Sequence, residues 1–344
     1  MRILVIRFSA MGDVAMLSPV IHSLLQKNPA LSITVLSRPA FEPLFGKHER
    51  LQFFGADLKN KYNGIGGLLK LYKESKSSKF DAIVDVHDVL RSRILGLFFS
   101  TSGHKLVRFD KGRNEKKAIT AKNKKNTIPL KHTTQRYFEC FSSLGLSTGW
   151  SENPLPELGL KTESTETLIK EKSTANKWIG VAPFARHESK IWGIKKIEEV
   201  ITILSQNPNF RFLLFGGGTE EITQLKKLQA RIKNTILIAG NYSLEEELEI
   251  MRHLDLMISM DSANMHMAAL SNCKVVSIWG PTHPSVGFAA LFNDKGIVQA
   301  DISCRPCSTF GAVKSTWQKD CAKKSMEAIT PQMVVEKVKA LLQS

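Results

Sequence analysis

Short apolar stretches of strand length alternate, along nearly the whole chain, with segments whose apolar residues recur at helical spacing. The first unit has a strand over residues 3–6, a turn through Ser9 and Gly12, and a helix that ends near Pro29. Strands alternating with helices of this length form βα units, so the pattern predicts an α/β fold with parallel sheets. The other strands that we predict lie at residues 33–36, 82–86, 178–182, 211–215, 256–259 and 275–278.

The alternation stops over residues 150–177, where two prolines and a polar stretch rich in Ser and Thr break the periodicity. We therefore divide the 344 residues into two Rossmann-like domains, 1–155 and 156–344. Such sheets bind ligands at the carboxyl ends of their strands, so we expect a cleft there. The sequence leaves open whether the closing helix, residues 331–343, packs back on the first domain.

Composition excludes several classes of protein. Hydrophobic residues make up 42% and charged residues 23%, which excludes disordered, collagen-like and disulfide-scaffold chains. The early apolar run stops at Arg7, and no stretch approaches the roughly 20 apolar residues of a membrane-spanning helix. Five cysteines, a sparse and odd number, predict a reducing compartment without structural disulfides. We therefore expect a cytoplasmic protein with no membrane span.

The charge is concentrated in one segment. The chain carries +16, and residues 104–136 contribute +9 of it through eleven basic and two acidic side chains. Such a basic block fits nucleic acid, an acidic lipid surface or a phosphorylated substrate, and it also fits a solvated loop without a partner. Its basic residues are Lys105, Arg108, Lys111, Arg113, Lys116, Lys117, Lys122, Lys124, Lys125, Lys131 and Arg136.

In the first half, one motif has chemistry that goes beyond packing. Residues 7–14 (RFSAMGDV) join the first strand to its helix. Gly12 there permits close approach of a ligand to the backbone, and the helix N-terminus favours a negative charge. Asp13 is then either a general base or a helix-stabilising carboxylate of the first turn.

The second half holds further motifs after its strands. Residues 183–192 (PFARHESKIW) place Arg186 and Lys190 where they can neutralise a diphosphate. Residues 215–221 (FGGGTEE) place Gly217 and the carboxylates of Glu220 and Glu221 at a helix start, where a carboxylate can accept ribose hydroxyls.

The strongest motif is residues 259–269 (SMDSANMHMAA), followed by residues 277–284 (SIWGPTHP). Asp261 and Ser262 lie where strand turns to helix, so backbone N–H groups and a hydroxyl suited to phosphate are expected there. His266 lies one helical turn later and is either a ligand contact or a structural histidine.

In this order the motifs resemble those of the ADP-heptose glycosyltransferases, the lipopolysaccharide heptosyltransferases of glycosyltransferase family 9. The resemblance covers nearly the whole chain. It implies the two-domain GT-B fold, with a lipid-linked sugar acceptor on the first domain and a nucleotide-sugar, ADP-heptose, on the second. It also implies inversion at the anomeric carbon.

The resemblance assigns roles to individual residues. Asp13 resembles the general base that deprotonates the acceptor hydroxyl, and Lys190 resembles the residue that offsets charge on the leaving diphosphate. A donor-binding role is implied for the side chains and backbone of Gly12, Arg186, Ser189, Gly217, Glu220, Glu221, Asp261, Ser262, Ala263 and His266. The family often has Trp-Pro where this chain has Trp192 and Gly193, and hydroxyl residues before the lysine, for which Arg186 can substitute.

The resemblance also gives the basic block a purpose. Inner-core lipopolysaccharide is anionic and membrane-bound, so Arg113, Lys116 and Lys117 become candidate acceptor contacts that also steer the enzyme to the membrane surface. We expect no metal cofactor, since the chain has no Asp-x-Asp pair. Cys304, Cys307 and Cys321 are an incomplete zinc set without an evident fourth ligand.

Three other functions remain open at this stage. A nucleic-acid-binding protein would have stacking aromatics among its lysines, and the block from Lys105 to Lys131 has only Phe109. An epimerase or oxidoreductase would have Gly-x-Gly-x-x-Gly after the first strand, where Gly12 stands alone. A glycosyltransferase that uses another nucleotide-sugar would share most of the motifs.

Overall fold

The computed structural model describes residues 1–123 and 128–343 and confirms the α/β class. The strands are β1 (Arg2–Ile6), β2 (Ser32–Ser37), β3 (Leu51–Gly55), β4 (Ala82–Asp85), β5 (Lys105–Arg108), β6 (Lys177–Ala182), β7 (Phe210–Leu214), β8 (Thr235–Leu237), β9 (Leu256–Met260), β10 (Val275–Trp279) and β11 (Ile297–Gln299). The helices are α1 (Met11–Lys27), α2 (Gly64–Ser75), α3 (Leu90–Ser100), α4 (Arg113–Ile119), α5 (Thr133–Ser142), α6 (Glu163–Lys170), α7 (Ile194–Leu204), α8 (Thr219–Arg231), α9 (Leu244–Arg252), α10 (Ala263–Leu270), α11 (Thr316–Glu327) and α12 (Pro331–Gln343).

The chain forms two compact units, each built on one parallel sheet. The strand order in the first unit is β3-β2-β1-β4-β5, and in the second it is β11-β10-β9-β6-β7-β8. In each sheet the first strand of the unit is central, and the chain winds outward from it in both directions. The winding direction reverses between β1 and β4 and between β6 and β9. These two positions are therefore topological switch points, where open parallel sheets bind ligands at the carboxyl ends of the strands.

Apolar residues of the central strands explain why each sheet is buried. Four of the five residues of β1 are buried, and so are all five of β9 and all five of β10. Parallel strands that are covered by helices on both faces are expected to be apolar along their whole length. The sequence predicted these strands to within one or two residues at their ends.

The units differ from the predicted domains in their composition. The first unit comprises residues 1–112 and 131–158, and the second comprises residues 113–130 and 159–344. The segment with α4 thus belongs to the second unit, although the predicted boundary at 155/156 had placed it in the first domain. The closing helix α12 also belongs to the second unit, since Val334, Val335 and Val338 lie in its core.

The expectation that disulfides can be neglected is also wrong. Cys304 and Cys321 form a disulfide that ties the loop after β11 to α11, while Cys307 is a buried free thiol. The low cysteine count concealed this pairing, because the count carries no information about proximity. The bond also removes the cysteine argument for a reducing compartment.

Within the described residues, the structure has no helix that is both long enough and apolar enough to cross a bilayer.

Helix α9 begins with a capping box, which the three-residue spacing of Ser243 and Glu246 predicts from the sequence. The Ser243 hydroxyl accepts the Glu246 N–H at 3.3 Å, and the Glu246 carboxylate accepts the Ser243 N–H at 2.8 Å. Thr162 donates to the same carboxylate at 2.7 Å. The hydrogen bond from the Ser243 backbone, followed by that from Thr162, lowers the pKa of Glu246 to about 2.

These bonds make one contribution to stability depend on pH. Because the folded state lowers the pKa of Glu246 from 4.5, its stabilisation is complete above about pH 4.5 and is lost as the pH falls towards 2. We expect Glu246→Gln to lower the free energy of unfolding by on the order of 1 kcal/mol near neutral pH. The difference should shrink on acidification, as urea denaturation at several pH values would measure.

Glu245→Gln is the matched control, since it removes a charge from the same first helical turn. If Glu246→Gln lowers the free energy of unfolding by the same amount at about pH 7 and at about pH 3, this account is contradicted.

Candidate active site

Polar side chains follow each of the four strands that flank the switch points. Asp13 follows β1 and His87 follows β4 in the first unit, while Lys190 follows β6 and Asp261 follows β9 in the second. In each sheet the two strands concerned pair in parallel, which brings their carboxyl ends side by side. Each unit therefore presents its own polar cluster at the edge where ligands bind.

In the first unit, Asp13 is held by two groups. Its Oδ1 lies 3.0 Å from an Nη atom of Arg7, and its Oδ2 accepts the Ala10 N–H at 3.2 Å. Arg7 is buried, whereas 22% of the Asp13 side chain is exposed. Asp13 thus stabilises the start of α1, as one interpretation of the sequence predicted, and it keeps an oriented, partly accessible carboxylate.

Sequence reasoning missed His87, which lies beside this cluster. The Phe8 N–H donates to its Nδ1 at 3.4 Å, so the ring proton is on Nε2, which lies 3.1 Å from the Ser9 hydroxyl. Asp85 fixes the loop, because its Oδ1 accepts the N–H groups of His87 and Asp88 at 3.0 and 2.9 Å. The available signal was the polar run at the end of an otherwise apolar strand.

The environment keeps His87 neutral. Burial, followed by the positive charges of Arg7 and Lys111, lowers the pKa of His87 to about 3. A neutral imidazole with Nδ1 already accepting a hydrogen bond donates from Nε2, so the Ser9 oxygen acts as the acceptor in this pair.

In the second unit, Lys190 and Asp261 form an ion pair. The Lys190 Nζ lies 3.2 Å from Asp261 Oδ2, and 11% of each side chain is exposed. The Thr282 hydroxyl donates to the same oxygen at 2.8 Å. Three strand ends, those of β6, β9 and β10, thus contribute to one charged cluster, and Thr282 is a member to which the motifs had given no separate role.

The segment after β9 turns into α10 where the sequence predicted. Ser262 precedes the first helical residue, Ala263, in extended conformation, and its hydroxyl lies 3.2 Å from that of Ser259 without capping the helix. The N–H groups of the first turn of α10 therefore lie beside Asp261 at the strand-to-helix junction. His266 is buried within α10.

The glycine-rich segment after β7 distinguishes the two candidate glutamates. The Gly217 N–H donates to Glu221 Oε2 at 2.8 Å, so Glu221 holds the loop at the start of α8. Glu220 is exposed beside it.

Ser189 is hydrogen-bonded within the protein, whereas Arg186 lies at the surface. The Ser189 hydroxyl donates to the Gly311 carbonyl, and Arg186 is exposed. Gly311 has a φ of +97°, and a Cβ at this position would lie 2.7 Å from the Lys190 Cγ. Only glycine allows this loop to approach Lys190 so closely.

The described part of the basic block is not a loop throughout, since it contains β5 and α4. Arg113 and Lys117 are exposed on α4. Lys116 is buried, and its Nζ lies 4.5 Å from the ring centre of Phe288, a cation–π contact. Lys124 and Lys125 lie outside the described residues.

The three cysteines near the end of the chain do not form a thiolate cluster, because Cys304 is bonded to Cys321. In residues 1–123 and 128–343, no group of three or more His, Cys, Asp or Glu side chains is placed to hold a metal ion.

The lowered pKa of His87 can be tested directly. We expect its imidazole to remain neutral, with the proton on Nε2, from about pH 8 down to about pH 5, because burial and Arg7 oppose protonation. Chemical shifts of ¹⁵N-labelled histidine would report this, with His87→Gln to assign the signal. A titration midpoint near the ordinary value of 6.5 would contradict the described environment.

Comparisons with known proteins indicate the family of this chain. The model of glycosyltransferase family 9 (heptosyltransferase) matches residues 68–317, more than half of the chain. Lipopolysaccharide heptosyltransferase 1 of Campylobacter coli is 25% identical over 294 residues, which cover 82% of this chain and 84% of that protein.

Two solved structures share the fold. The family 9 glycosyl transferase of Veillonella parvula superposes with a TM-score of 0.76 at 18% identity, covering 99% of this chain and 97% of that one. The ADP-heptose lps heptosyltransferase II of E. coli superposes with a TM-score of 0.70 at 19% identity, covering 100% of this chain and 99% of that one. The predicted GT-B class is thereby confirmed, and with the family match the conclusion follows that this chain belongs to glycosyltransferase family 9 and is a glycosyltransferase.

Proposed function

We propose that this enzyme transfers a heptose from ADP-heptose to the inner core of lipopolysaccharide, with inversion at the anomeric carbon. The observation that carries the proposal is the Lys190–Asp261–Thr282 cluster beside the start of α10, in a chain that belongs to family 9. The similar proteins named above are heptosyltransferases, and the one from E. coli is named for ADP-heptose.

The second unit is proposed to hold the donor. Lys190 supplies positive charge, and the N–H groups at the start of α10, next to Ser262, supply hydrogen bonds for the diphosphate. Asp261 keeps the Lys190 ammonium in place until the phosphate arrives. The exposed carboxylate of Glu220 is better suited than that of Glu221 to accept ribose hydroxyls, because Glu221 already holds Gly217.

Asp13 is proposed to be the general base. The acceptor hydroxyl oxygen attacks the anomeric carbon from the face opposite the diphosphate, and its proton passes to the Asp13 carboxylate. The bond between the anomeric carbon and the diphosphate oxygen breaks, and its electron pair leaves on ADP. Arg7 and the Ala10 N–H orient the carboxylate, while Lys190 and the α10 N–H groups stabilise the departing charge without a metal.

The acceptor is proposed to be an anionic, lipid-linked sugar reached from the cytoplasmic side of the membrane. Arg113 and Lys117 are four residues apart on α4 and exposed, so they fit one anionic ligand. Lys116 fits this role less well than its neighbours, because its ammonium is buried against Phe288. A peripheral contact with anionic lipid is consistent with the same surplus of positive charge.

Calorimetry with ADP tests the donor assignment. We expect the protein to bind ADP and ADP-heptose more tightly than UDP or GDP, and Lys190→Met to weaken ADP binding about 10- to 100-fold, since a charged phosphate contact is lost. A preference for UDP or GDP would indicate another nucleotide-sugar. Salt-dependent RNA binding without nucleotide affinity would support the nucleic-acid alternative.

Lys177→Met is the matched control for this measurement. Lys177 also pairs with an aspartate, Asp255, at 3.0 Å, but at the amino ends of β6 and β9. Equal weakening of ADP binding by both substitutions would count against a specific role for Lys190.

The role of Asp13 is tested by separating chemistry from binding. We expect Asp13→Asn to lower the transfer rate about 10²- to 10⁴-fold, the usual contribution of a general base, while the affinity for ADP stays unchanged. Asp81→Asn is the control, because Asp81 accepts the Arg2 N–H at the amino end of β4 and should tolerate the change. Near-normal transfer by Asp13→Asn would remove the proposed base.

A further inference from the structure

Arg305 is a buried cation that none of the sequence motifs had singled out. It lies in the loop between β11 and α11, with 7% of its surface exposed. Its guanidinium donates to the carbonyls of Gly280 at 2.5 Å, Ala300 at 2.6 Å and Thr282 at 2.9 Å, and to Gln299 Oε1 at 3.1 Å. No carboxylate of the described residues lies within ion-pair distance of it.

These hydrogen bonds connect two backbone segments through Arg305. Gly280 and Thr282 follow β10, while Gln299 and Ala300 lie at the end of β11. The planar guanidinium carries five donors in a fixed geometry, so it can join two separate backbone segments as a single-point ammonium cannot. Burial lowers the pKa of Arg305 to about 10, so the side chain stays protonated at neutral pH.

One route leads from Arg305 to the charged cluster through Thr282. Arg305 fixes the Thr282 carbonyl, and the Thr282 hydroxyl donates to the oxygen of Asp261 that also pairs with Lys190. The position of the Lys190 ammonium is therefore set by Asp261, and that of the Asp261 carboxylate by Thr282.

A second route runs through the loop that contains Arg305. The N–H groups of Cys307 and Ser308 donate to the Pro281 carbonyl at 2.9 and 3.2 Å. The Ser308 hydroxyl accepts the Gly311 N–H at 2.9 Å, and the Gly311 carbonyl accepts the Ser189 hydroxyl. Both routes end at the segment that carries Lys190.

We propose that Arg305 is a positioning residue for donor binding, which acts through Thr282 and Asp261 to hold the Lys190 ammonium where the diphosphate binds. This inference rests on the proposed function of Lys190. It assigns Arg305 no contact with the substrate, so its effect on nucleotide binding must pass through Lys190.

The dependence on Lys190 gives a test that a merely structural role would not pass. Arg305→Lys keeps the charge and loses the planar donor set, and we expect it to weaken ADP binding about tenfold in the otherwise unchanged protein. In a Lys190→Met background the same substitution should have no further effect, because the group that it positions is gone. Calorimetry on the four proteins measures this coupling.

Two further variants keep the test decisive. Thr282→Val removes only the hydroxyl bond to Asp261, so it should reproduce the tenfold loss even if Arg305→Lys does not fold. Arg50→Lys is the matched control, because Arg50 donates to four carbonyls, at the amino end of β3: those of Leu25, Asn28, Pro29 and Leu31. It should lower the melting temperature without changing ADP affinity.

The possible failures can be told apart. If folded Arg305→Lys and Thr282→Val bind ADP as well as the unaltered protein does, or if Arg305→Lys costs the same tenfold with and without Lys190, the positioning role is wrong while the proposed function stands. If the unaltered protein binds UDP or GDP instead, the same cycle is measured with that nucleotide. If it binds no nucleoside diphosphate, the proposed function and this inference fail together.

Discussion

The pairing of β6 with β9 is the constraint on which the cluster of Lys190, Asp261 and Thr282 depends. These strands are far apart in the sequence, and their parallel register aligns Val181 with Ile258 and Ala182 with Ser259. Lys190 and Asp261 follow those strand ends, so the register brings an ammonium and a carboxylate together at 3.2 Å. The ion pair is largely buried, which makes it sensitive to geometry, because a buried charge is costly when its partner moves away.

The first unit uses the same construction with a different outcome. Its central pair, β1 and β4, brings Asp13 near His87, and a buried Arg7 compensates the carboxylate. The histidine is neutral, and both of its ring nitrogens are engaged, one with the Phe8 N–H and the other with the Ser9 hydroxyl, whereas the Asp13 carboxylate is partly exposed. The proposed function therefore places proton acceptance and phosphate neutralisation in separate units, each at the switch point of its own sheet.

Buried cations have different roles in the two units. Arg7 is paired with a carboxylate, whereas Arg305 donates to neutral oxygens, three backbone carbonyls and the Gln299 side chain. Lys116 is a further buried cation, and its ammonium lies 4.5 Å from the ring centre of Phe288. A basic side chain that contributes to the net charge can therefore be buried and unavailable to a ligand. For this reason the net charge of +16 indicated an anionic partner without locating its contacts.

Much of this protein was predictable from the sequence. The spacing of apolar residues predicted the seven inner strands, since burial on a parallel sheet demands continuous apolar strands. It missed the four edge strands β3, β5, β8 and β11, which are less completely buried. Ser243 with Glu246 predicted a helix start from local hydrogen bonding alone. The order of the motifs gave the family. Tertiary structure alone decided the contacts between distant segments: Thr282 with Asp261, Arg305 with two strand ends, Cys304 with Cys321, and residues 113–130 with the second unit. The physical reason is that periodicity and capping act over a few residues, whereas these contacts depend on which strands are neighbours and in what register.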